Sequence, residues 1–368
     1  MRVTRLDIRG LRRFESVSLT PGPGLNLITG DNGAGKTSVL EALHLMAYGR
    51  SFRGRVRDGL IRTGSEAAEV FVEWREEGDA RPRKAGLRHT GQDWQGRLDG
   101  ENVGQLGDLC AALAVVSFEP GSHALVAGGG DPRRRFVDWG LFHVERKDAG
   151  DAFVTLWRRY ARALKQRNAL LKAGAASTQL DAWDHELAET GERLTAHRQR
   201  YLEELRERLA EIAAELVPAL GGADLEFLPG WRRHEVSLAD ALLLARDRDR
   251  VAGFTSVGPH RADWRIGYAA RPYGETLSRG QAKLTALACL LAQAGDFAAR
   301  RGEWPVVALD DLASELDRDH QARVLDRLQA SGAQVFITGT EIPFVMQERL
   351  SGVSMFHVEH ERVVALAE

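Results

Sequence analysis

The chain has 368 residues, of which 43 % are hydrophobic and 28 % charged, with a formal net charge of −2 at pH 7. This length and composition predict two or three folded domains, and the charge balance gives no support for a strongly basic DNA-coating protein. The sequence has no apolar run as long as a membrane span, no signal-peptide pattern at residues 1–8, and no disulfide or zinc spacing at Cys110 and Cys289. We therefore expect a folded protein of the reducing cytoplasm with no membrane partner.

The first part of the chain is rich in strand-like segments. Alternating or short apolar runs bounded by turn residues predict strands at residues 3–8, 14–19, 25–29, 69–74, 86–89 and 114–118. The pattern indicates a mixed sheet with few helices, the longest of which follows the third strand.

The junction between that strand and helix has the pattern G-x-x-x-x-G-K-[ST]. Glycines at this spacing let backbone N–H groups turn toward an anion, Lys36 supplies a charge for the β- and γ-phosphates, and the Thr37 hydroxyl suits Mg²⁺. The predicted nucleotide-binding residues are Gly30, Asp31, Asn32, Gly33, Ala34, Gly35, Lys36, Thr37 and Ser38.

From about residue 133 the pattern becomes helical. Apolar residues recur at helical spacing over 153–164 and in near-heptad register over 180–216, with a break at 172–177. We expect an antiparallel hairpin of about 22 and 37 residues, on the order of 35 to 55 Å long, that is either a projecting arm or the core of a small helical domain. The predicted domains are a head of residues 1–132 and 218–368 and an inserted helical domain of residues 133–217.

A second candidate anion site precedes a predicted helix at residues 282–300. The sequence Leu277-Ser278-Arg279-Gly280-Gln281 places a serine hydroxyl and a glycine N–H at the helix N-terminus, where the helix dipole favours anions. The alternative for Ser278 alone is an ordinary N-cap.

Residues 304–309 form a short apolar run that ends in Asp310 and Asp311. Such a strand typically carries a carboxylate that holds Mg²⁺ directly or through water, which we assign to Asp310. Asp311 would then orient or deprotonate an attacking water.

This ordered set of motifs, continued by Ser314-Glu315-Leu316-Asp317, resembles the ATP-binding-cassette class, in which two copies of the chain enclose ATP. The long helical insert is similar to the SMC-type branch, and several segments are similar to the bacterial RecF family. These segments are residues 30–37, 51–53, 132–138, 166–172, 255–261 (T-S-V-G-P-H-R), 277–281 and 310–317 (D-D-L-A-S-E-L-D).

The resemblance implies an α/β fold, an ABC/SMC-type ATPase head in which a mixed-sheet lobe joins a P-loop core, with an inserted antiparallel helical hairpin domain. It implies a cytoplasmic ATPase that takes ATP and Mg²⁺ and forms a homodimer on ATP binding. It also implies binding to single-stranded and double-stranded DNA at gaps or junctions, and RecA loading with RecO and RecR in DNA repair, replication and the SOS response.

By the same resemblance, Lys36 and Thr37 bind phosphate and Mg²⁺, Asp310 ligates the metal, and Asp311 and Ser278 complete the catalytic set. Ser278, Gly280 and Gln281 would contact ATP held by the other protomer.

Two positions depart from the cassette pattern. Asp311 stands where glutamate is usual, and Gly339-Thr340 stands where a histidine usually follows the strand at residues 334–338. Both should slow hydrolysis, which suits a switch better than a motor. The glutamine of the Q-loop has no clear position, although residues 117–120 occupy the expected region.

Arginine clusters are the candidate DNA contacts, because a basic stripe can bind phosphates despite an acidic net charge. The candidates are Arg53 and Arg55 together with Arg133, Arg134 and Arg135, the last three of which could equally brace the root of the hairpin. Rival functions are a transporter ATPase subunit, a nuclease-linked ATPase of the overcoming-lysogenisation type and a non-enzymatic DNA scaffold. The long helical insert argues against the first, the short C-terminal segment against the second, and the intact Lys36 and Asp310 against the third.

Overall fold

Apolar and polar residues alternate along Arg2–Leu11, and the chain forms a long strand there whose apolar side chains are buried. The computed structural model describes residues 1–56, 58–79, 81–145, 152–271, 273, 275–347 and 352–366. In chain order the strands are β1 (Arg2–Leu11), β2 (Phe14–Leu19), β3 (Leu25–Thr29), β4 (Ala68–Arg75), β5 (Arg83–His89), β6 (Trp94–Leu98), β7 (Glu101–Val103), β8 (Val115–Phe118), β9 (Ala223–Leu228), β10 (Asp263–Tyr268), β11 (Val306–Leu309), β12 (Val335–Gly339), β13 (Ser354–Glu359) and β14 (Arg362–Leu366).

The helices alternate with these strands in the pattern of an α/β protein. They are α1 (Lys36–Tyr48), α2 (Leu106–Cys110), α3 (Ala124–Ala127), α4 (Gly130–Val144), α5 (Phe153–Lys172), α6 (Ser177–Leu216), α7 (Leu238–Ala252), α8 (Arg279–Arg301), α9 (Leu312–Glu315) and α10 (Arg318–Ser331). None of these helices combines the length and the apolar composition needed to cross a lipid bilayer.

The chain divides into two units. The first contains Met1–Ser122 and Gln293–Glu368, and the second contains His123–Ala292. The helical insert predicted at residues 133–217 lies within the second unit, which extends further at both ends. Residues 218–292 join it because β9 and α7 pack against α6.

The first unit contains two sheets. One is antiparallel, in the order β2-β1-β4-β5-β6-β7, and the other has the order β14-β13-β3-β12-β11-β8. In the second sheet β3 pairs in parallel with β12 and β13, and β11 pairs in parallel with β12 and β8. All residues of β3 and β11 are buried, as expected for parallel strands covered on both faces. The ends of these strands therefore meet at one edge, where an α/β sheet usually binds its ligand.

The predicted helical hairpin is the centre of the second unit. Helices α5 and α6 run antiparallel, since Arg159 contacts Glu186 while the later Arg167 contacts Asp184. Helices α4 and α7 pack against α6, and β9 and β10 form an antiparallel pair. The hairpin is thus the core of a small mixed domain in this unit. Of the two arrangements considered from the sequence, a projecting arm and the core of a small domain, the structure has the second.

Two of the segments that carry the family resemblance form one buried polar network. Arg167 is fully buried and donates to Asp184 at 2.5 Å, to Asp249 at 2.7 Å and to the Thr255 hydroxyl at 2.9 Å. The Asn168 side chain accepts from Thr255, which fixes residues 255–261 against α5. That segment is a turn ending in a 3₁₀ helix (Pro259–Arg261).

Strands β6 and β7 were missing from the sequence prediction. Both strands are short, polar and bounded by glycine, with Gly96 inside β6 and Gly100 in the turn between them. The alternation of apolar and polar residues that predicts a strand is therefore not visible in this part of the sequence. The strands expected near residues 25–29 and 114–118 exist, but they belong to the parallel sheet.

Candidate nucleotide site

The loop between β3 and α1 requires glycine at several positions. Gly30, Gly33 and Gly35 have φ values of 147°, 79° and 121°. A Cβ atom on Gly30 would lie 2.3 Å from the Val358 carbonyl oxygen, and one on Gly35 would lie 2.9 Å from the Phe14 ring. The backbone can take this shape only without side chains at these positions.

The first turn of α1 leaves the backbone N–H groups of Lys36 and Thr37 available to a ligand, while the Ser38 N–H donates to the Gly35 carbonyl at 2.9 Å. Gly35 is the N-cap residue and has no side chain that could accept from them. The preceding turn is closed by a hydrogen bond from the Ala34 N–H to the Asp31 carbonyl at 3.1 Å, and Ser38 is buried beneath it. The loop therefore has the geometry of an anion cradle at a helix N-terminus.

The Lys36 ammonium lies inside this loop. Its Nζ atom donates to the carbonyl oxygens of Gly30 at 2.7 Å and Asp31 at 2.9 Å, and the residue is 8 % exposed. Burial lowers the pKa of Lys36, while the charges of Asp311, Asp310 and Asp31 oppose that shift. The side chain is thus anchored at the mouth of the cradle, with its charge partly desolvated.

Residues far apart in the sequence meet at the edge of the parallel sheet. The Thr37 hydroxyl donates to Asp310 Oδ1 at 3.0 Å, and the Thr338 hydroxyl donates to the same oxygen at 2.6 Å. Burial raises the pKa of Asp310, and the neighbouring Asp311 raises it further. The two hydrogen bonds from Thr338 and Thr37 lower it and so oppose this shift. The predicted pairing of the loop with Asp310 is present in the structure.

Asp311 follows in a left-handed backbone conformation, with φ of 52°. Such a conformation costs about 1–2 kcal/mol for a non-glycine residue. It is held by a hydrogen bond from the Asp311 N–H to Thr338 Oγ1 at 2.9 Å and by the start of α9, where the Asp311 carbonyl accepts from Ser314. Thr338 therefore contacts both acids, a role that the sequence reading did not give it.

These residues border a pocket of about 430 Å³. Its walls include basic side chains from other parts of the first unit, Arg12, Arg13 and Arg53, and the turn residue Pro120. With Lys36, they give four cationic groups against the two carboxylates of Asp310 and Asp311 in the lining. Glu41, which lies outside the lining, offsets part of this charge, and the remaining net positive charge suits a polyanion such as a nucleoside triphosphate.

A buried acid on α1 organises two of the arginines. Glu41 is fully buried and accepts from Arg12 at 2.7 Å, from the Ser51 hydroxyl, and lies 3.7 Å from Arg53. Arg12 also donates to the Asp58 carbonyl at 2.8 Å. Glu41 was missed in the sequence because a single glutamate on an amphipathic helix looks like a solvated residue.

The second candidate anion site has the form of a helix cap. The Ser278 hydroxyl accepts from the Gln281 N–H at 3.2 Å, and the Gln281 side chain accepts from the Ser278 N–H at 2.9 Å. Ser278 and Gly280 are exposed, and both lie in the second unit, whereas Lys36 and Asp310 lie in the first. Contact of Ser278, Gly280 and Gln281 with a nucleotide stays a prediction.

The arginines predicted to contact DNA differ in whether their guanidinium groups already bind other groups of the protein. Arg133 makes a bidentate ion pair with Asp263 at 2.6 and 2.9 Å, and Arg134 donates to the Ala262 carbonyl at 2.7 Å. Arg135 pairs with Asp131 and remains half exposed. Arg133 and Arg134 thus brace α4 against the start of β10, which favours the bracing role over DNA contact.

In the first unit, Arg53 lines the nucleotide pocket and Arg55 is exposed beside Asp58, whose carboxylate accepts from the Arg55 N–H at 2.7 Å. Residues 117–120 end β8 next to Asp310, since the Phe118 carbonyl accepts from the Asp310 N–H at 2.8 Å. Pro120 reaches the pocket from this segment, but glutamate rather than glutamine stands before it.

Comparison with known proteins identifies the family. The family model described as RecF/RecN/SMC N terminal domain matches residues 2–362. The chain is 68 % identical over 369 residues to the DNA replication and repair protein RecF of Stenotrophomonas maltophilia (strain R551-3), with full coverage of both chains. It is 41 % identical over 360 residues to the RecF of Thioalkalivibrio sulfidiphilus (strain HL-EbGR7), with 98 % coverage of both.

Solved structures agree with this assignment. A structure described as the recombination mediator protein RecF-ATP in the RecFOR pathway has a TM-score of 0.87 at 26 % identity, covering 100 % of this chain and 98 % of that one. An SMC head bound to the C-terminal winged-helix domain of ScpA has a TM-score of 0.57 at 17 % identity, covering 100 % and 98 %, and supports the fold alone. The expected ATPase-head fold with a long helical insert is confirmed, and the chain belongs to the RecF family within the RecF/RecN/SMC group.

Proposed function

We propose that this chain is an ATP-dependent recombination mediator that acts in DNA replication and repair. The observation that carries the proposal is the meeting of Lys36 and Thr37 with Asp310 in a pocket lined by basic residues. The names of the relatives support the biological role, since they are called DNA replication and repair proteins and a solved neighbour is called a RecF-ATP recombination mediator.

The oxygen donors at the site suit a magnesium ion. Mg²⁺ in nucleotide sites typically takes one or two protein oxygens and completes its shell with phosphate oxygens and water. Thr37 Oγ1 and Asp310 Oδ1 lie 3.0 Å apart and are the residues that would hold it. When bound, the ion would offset the charge of the β- and γ-phosphates.

Each protein group then has a distinct role in binding ATP. The N–H groups at the start of α1 and the Lys36 ammonium bind the phosphates, and the glycines allow the close approach. Asp311 supplies a carboxylate that orients or deprotonates water at the pocket, in a backbone conformation held by Thr338. Its side chain is one methylene shorter than the usual glutamate, and Gly339-Thr340 offers no histidine, so hydrolysis should be slow and ATP should act as a switch.

The remaining part of the proposal concerns partners. Ser278 is exposed at the N-terminus of α8 and has a hydroxyl that can contact ATP bound to a second copy of the chain. We therefore infer a cytoplasmic homodimer that closes on ATP, binds DNA at gaps or single-strand/duplex junctions, and loads RecA together with RecO and RecR. The family resemblance supports these partners.

Lys36→Ala provides the test of the nucleotide site. It should abolish ATP binding in isothermal titration calorimetry and ATP-dependent dimerisation in sedimentation, while Lys283→Ala, on α8 in the second unit, should leave ATP binding unchanged. Unchanged ATP affinity in the Lys36 variant would refute the assignment of the cradle.

A further inference from the structure

Helix α5 carries only one sign of charge. Its residues Phe153–Lys172 contain no aspartate or glutamate. The basic residues in this helix are Arg158, Arg159, Arg162, Lys165, Arg167 and Lys172.

Two of these cations serve the fold. Arg167 is buried and pairs with Asp184 and Asp249. Arg159 pairs with Glu186 at 2.8 Å across the hairpin. Neither side chain can bind a ligand without breaking contacts inside the second unit.

The other basic residues share the face opposite the buried one. At 100° per residue, Arg158, Arg162, Lys165 and Lys172 fall within an arc of about 80°, centred opposite buried Tyr160. All four are exposed, and the row extends about 21 Å along the helix. Arg162, Lys165 and Lys172 have no ion-pair partner among the carboxylates that the structure describes.

The absence of acids on α5 distinguishes this face from surfaces on which basic residues are paired. Arg88, for example, faces Glu69 at 3.0 Å, and the exposed Arg271 faces Glu275 at 3.0 Å. Surface pairs of that kind balance their own charge and have little left to attract an anion. On this face Arg162, Lys165 and Lys172 concentrate positive charge that no carboxylate in the described part of the chain pairs with, although the formal net charge of the protein is −2.

We propose that this face of α5 binds the sugar-phosphate backbone of DNA through Arg162, Lys165 and Lys172. Arg162 and Lys172 are ten residues apart, so the three cations span about 15 Å, over which a DNA strand with one phosphate per 3.4 Å of helix axis carries about four phosphates. A straight row of cations fits a polymer with regularly repeating charge, and release of counterions from it would provide affinity. The inference rests on the proposed DNA-binding function and assigns it a surface.

The test removes the three cations together as Arg162→Ala, Lys165→Ala and Lys172→Ala. The matched control, Arg200→Ala with Arg232→Ala and Arg265→Ala, removes the same charge from exposed positions of the second unit outside α5. Fluorescence anisotropy with labelled duplex, gapped and single-stranded DNA is measured in the presence of ATP across a range of salt concentrations. Equal unfolding temperatures of both variants establish that the fold is retained.

Loss of three phosphate contacts should reduce the slope of log affinity against log salt by about 2.7 on duplex and about 2 on single strands. The affinity itself should fall at least about tenfold, with the control close to wild type. The proposal is overturned if the two triple variants bind alike, which would leave the DNA-binding function intact and direct attention to Arg53 and Arg55. Failure of the wild-type protein to bind any of the DNAs would overturn the proposed DNA-binding function as well.

Discussion

Thr338→Val is the most informative change at the nucleotide site, because it keeps the shape of the side chain and removes the hydroxyl. That hydroxyl donates to Asp310 Oδ1 at 2.6 Å and accepts from the Asp311 N–H at 2.9 Å, and Thr338 is 1 % exposed. A hydrogen bond to a charged group contributes about 1.5–3 kcal/mol and a neutral one about 1 kcal/mol. The free energy of unfolding should therefore fall by about 2.5–4 kcal/mol.

Urea unfolding followed by circular dichroism, without nucleotide, measures this loss. The control is Thr338→Ser, which keeps the oxygen and loses one methyl group at a cost of about 1 kcal/mol. The reasoning would be refuted if the valine variant were as stable as the serine variant.

A second readout of the same change is the Mg²⁺ requirement for ATP binding. The hydrogen bond from Thr338 holds down the pKa of Asp310, which burial raises. Without this hydrogen bond the Asp310 carboxyl should protonate more easily and hold Mg²⁺ less well. ATP binding by Thr338→Val should therefore need a higher Mg²⁺ concentration than ATP binding by Thr338→Ser, and this difference should shrink as the pH is raised.

Three other changes test separate parts of the proposals. Ser278→Arg should leave ATP binding to the monomer intact and block ATP-dependent dimerisation in sedimentation; loss of monomer binding would contradict a role across the dimer. Asp311→Asn should retain ATP and slow phosphate release by about 10²-fold or more, and an unaltered rate would remove Asp311 as the base. Burial raises the pKa of Asp263, but its hydrogen bond and ion pair with Arg133 outweigh burial and lower it. The stability from this pair should therefore be complete above the unfolded pKa of about 3.9 and be lost as the pH falls through the folded pKa. Asp263→Asn should be roughly 1–3 kcal/mol less stable at pH 7 in urea titrations and should lose less stability on acidification, and an equal acid response in both proteins would contradict the argument.

The nucleotide cradle was predictable because its signals are local. A buried strand, glycines at fixed spacing and a helix starting at Lys36 follow each other within the sequence, and a strand ending in Asp310 is recognisable in the same way. The contact between Thr37 and Asp310 needed only the rule that ends of parallel strands share an edge.

Residues that act through long-range contacts were not predictable. Glu41 acquires its role only when the turn containing Arg12 and the segment containing Ser51 fold over α1. In the sequence Thr338 is an ordinary strand residue, because its role depends on the pairing of β12 with β11 in the fold. The extent of the second unit was hidden for a similar reason, since the packing of β9 and α7 on α6 leaves no periodic signal.

The position of β3 in its sheet has a consequence for synthesis of the protein on the ribosome. Both neighbours of β3 come from the C-terminal segment, the first beginning at Val335, about 300 residues later. At about 5–20 residues per second, β3 waits roughly 15–60 s for them with its apolar side chains unpaired. The second unit is one continuous segment, His123–Ala292, and can fold in that interval. Newly made chains should therefore depend on chaperones that cover the apolar β3 until β12 and β13 have been synthesised, whereas the antiparallel sheet of the first unit draws all its strands from residues 2–103 and can pair earlier.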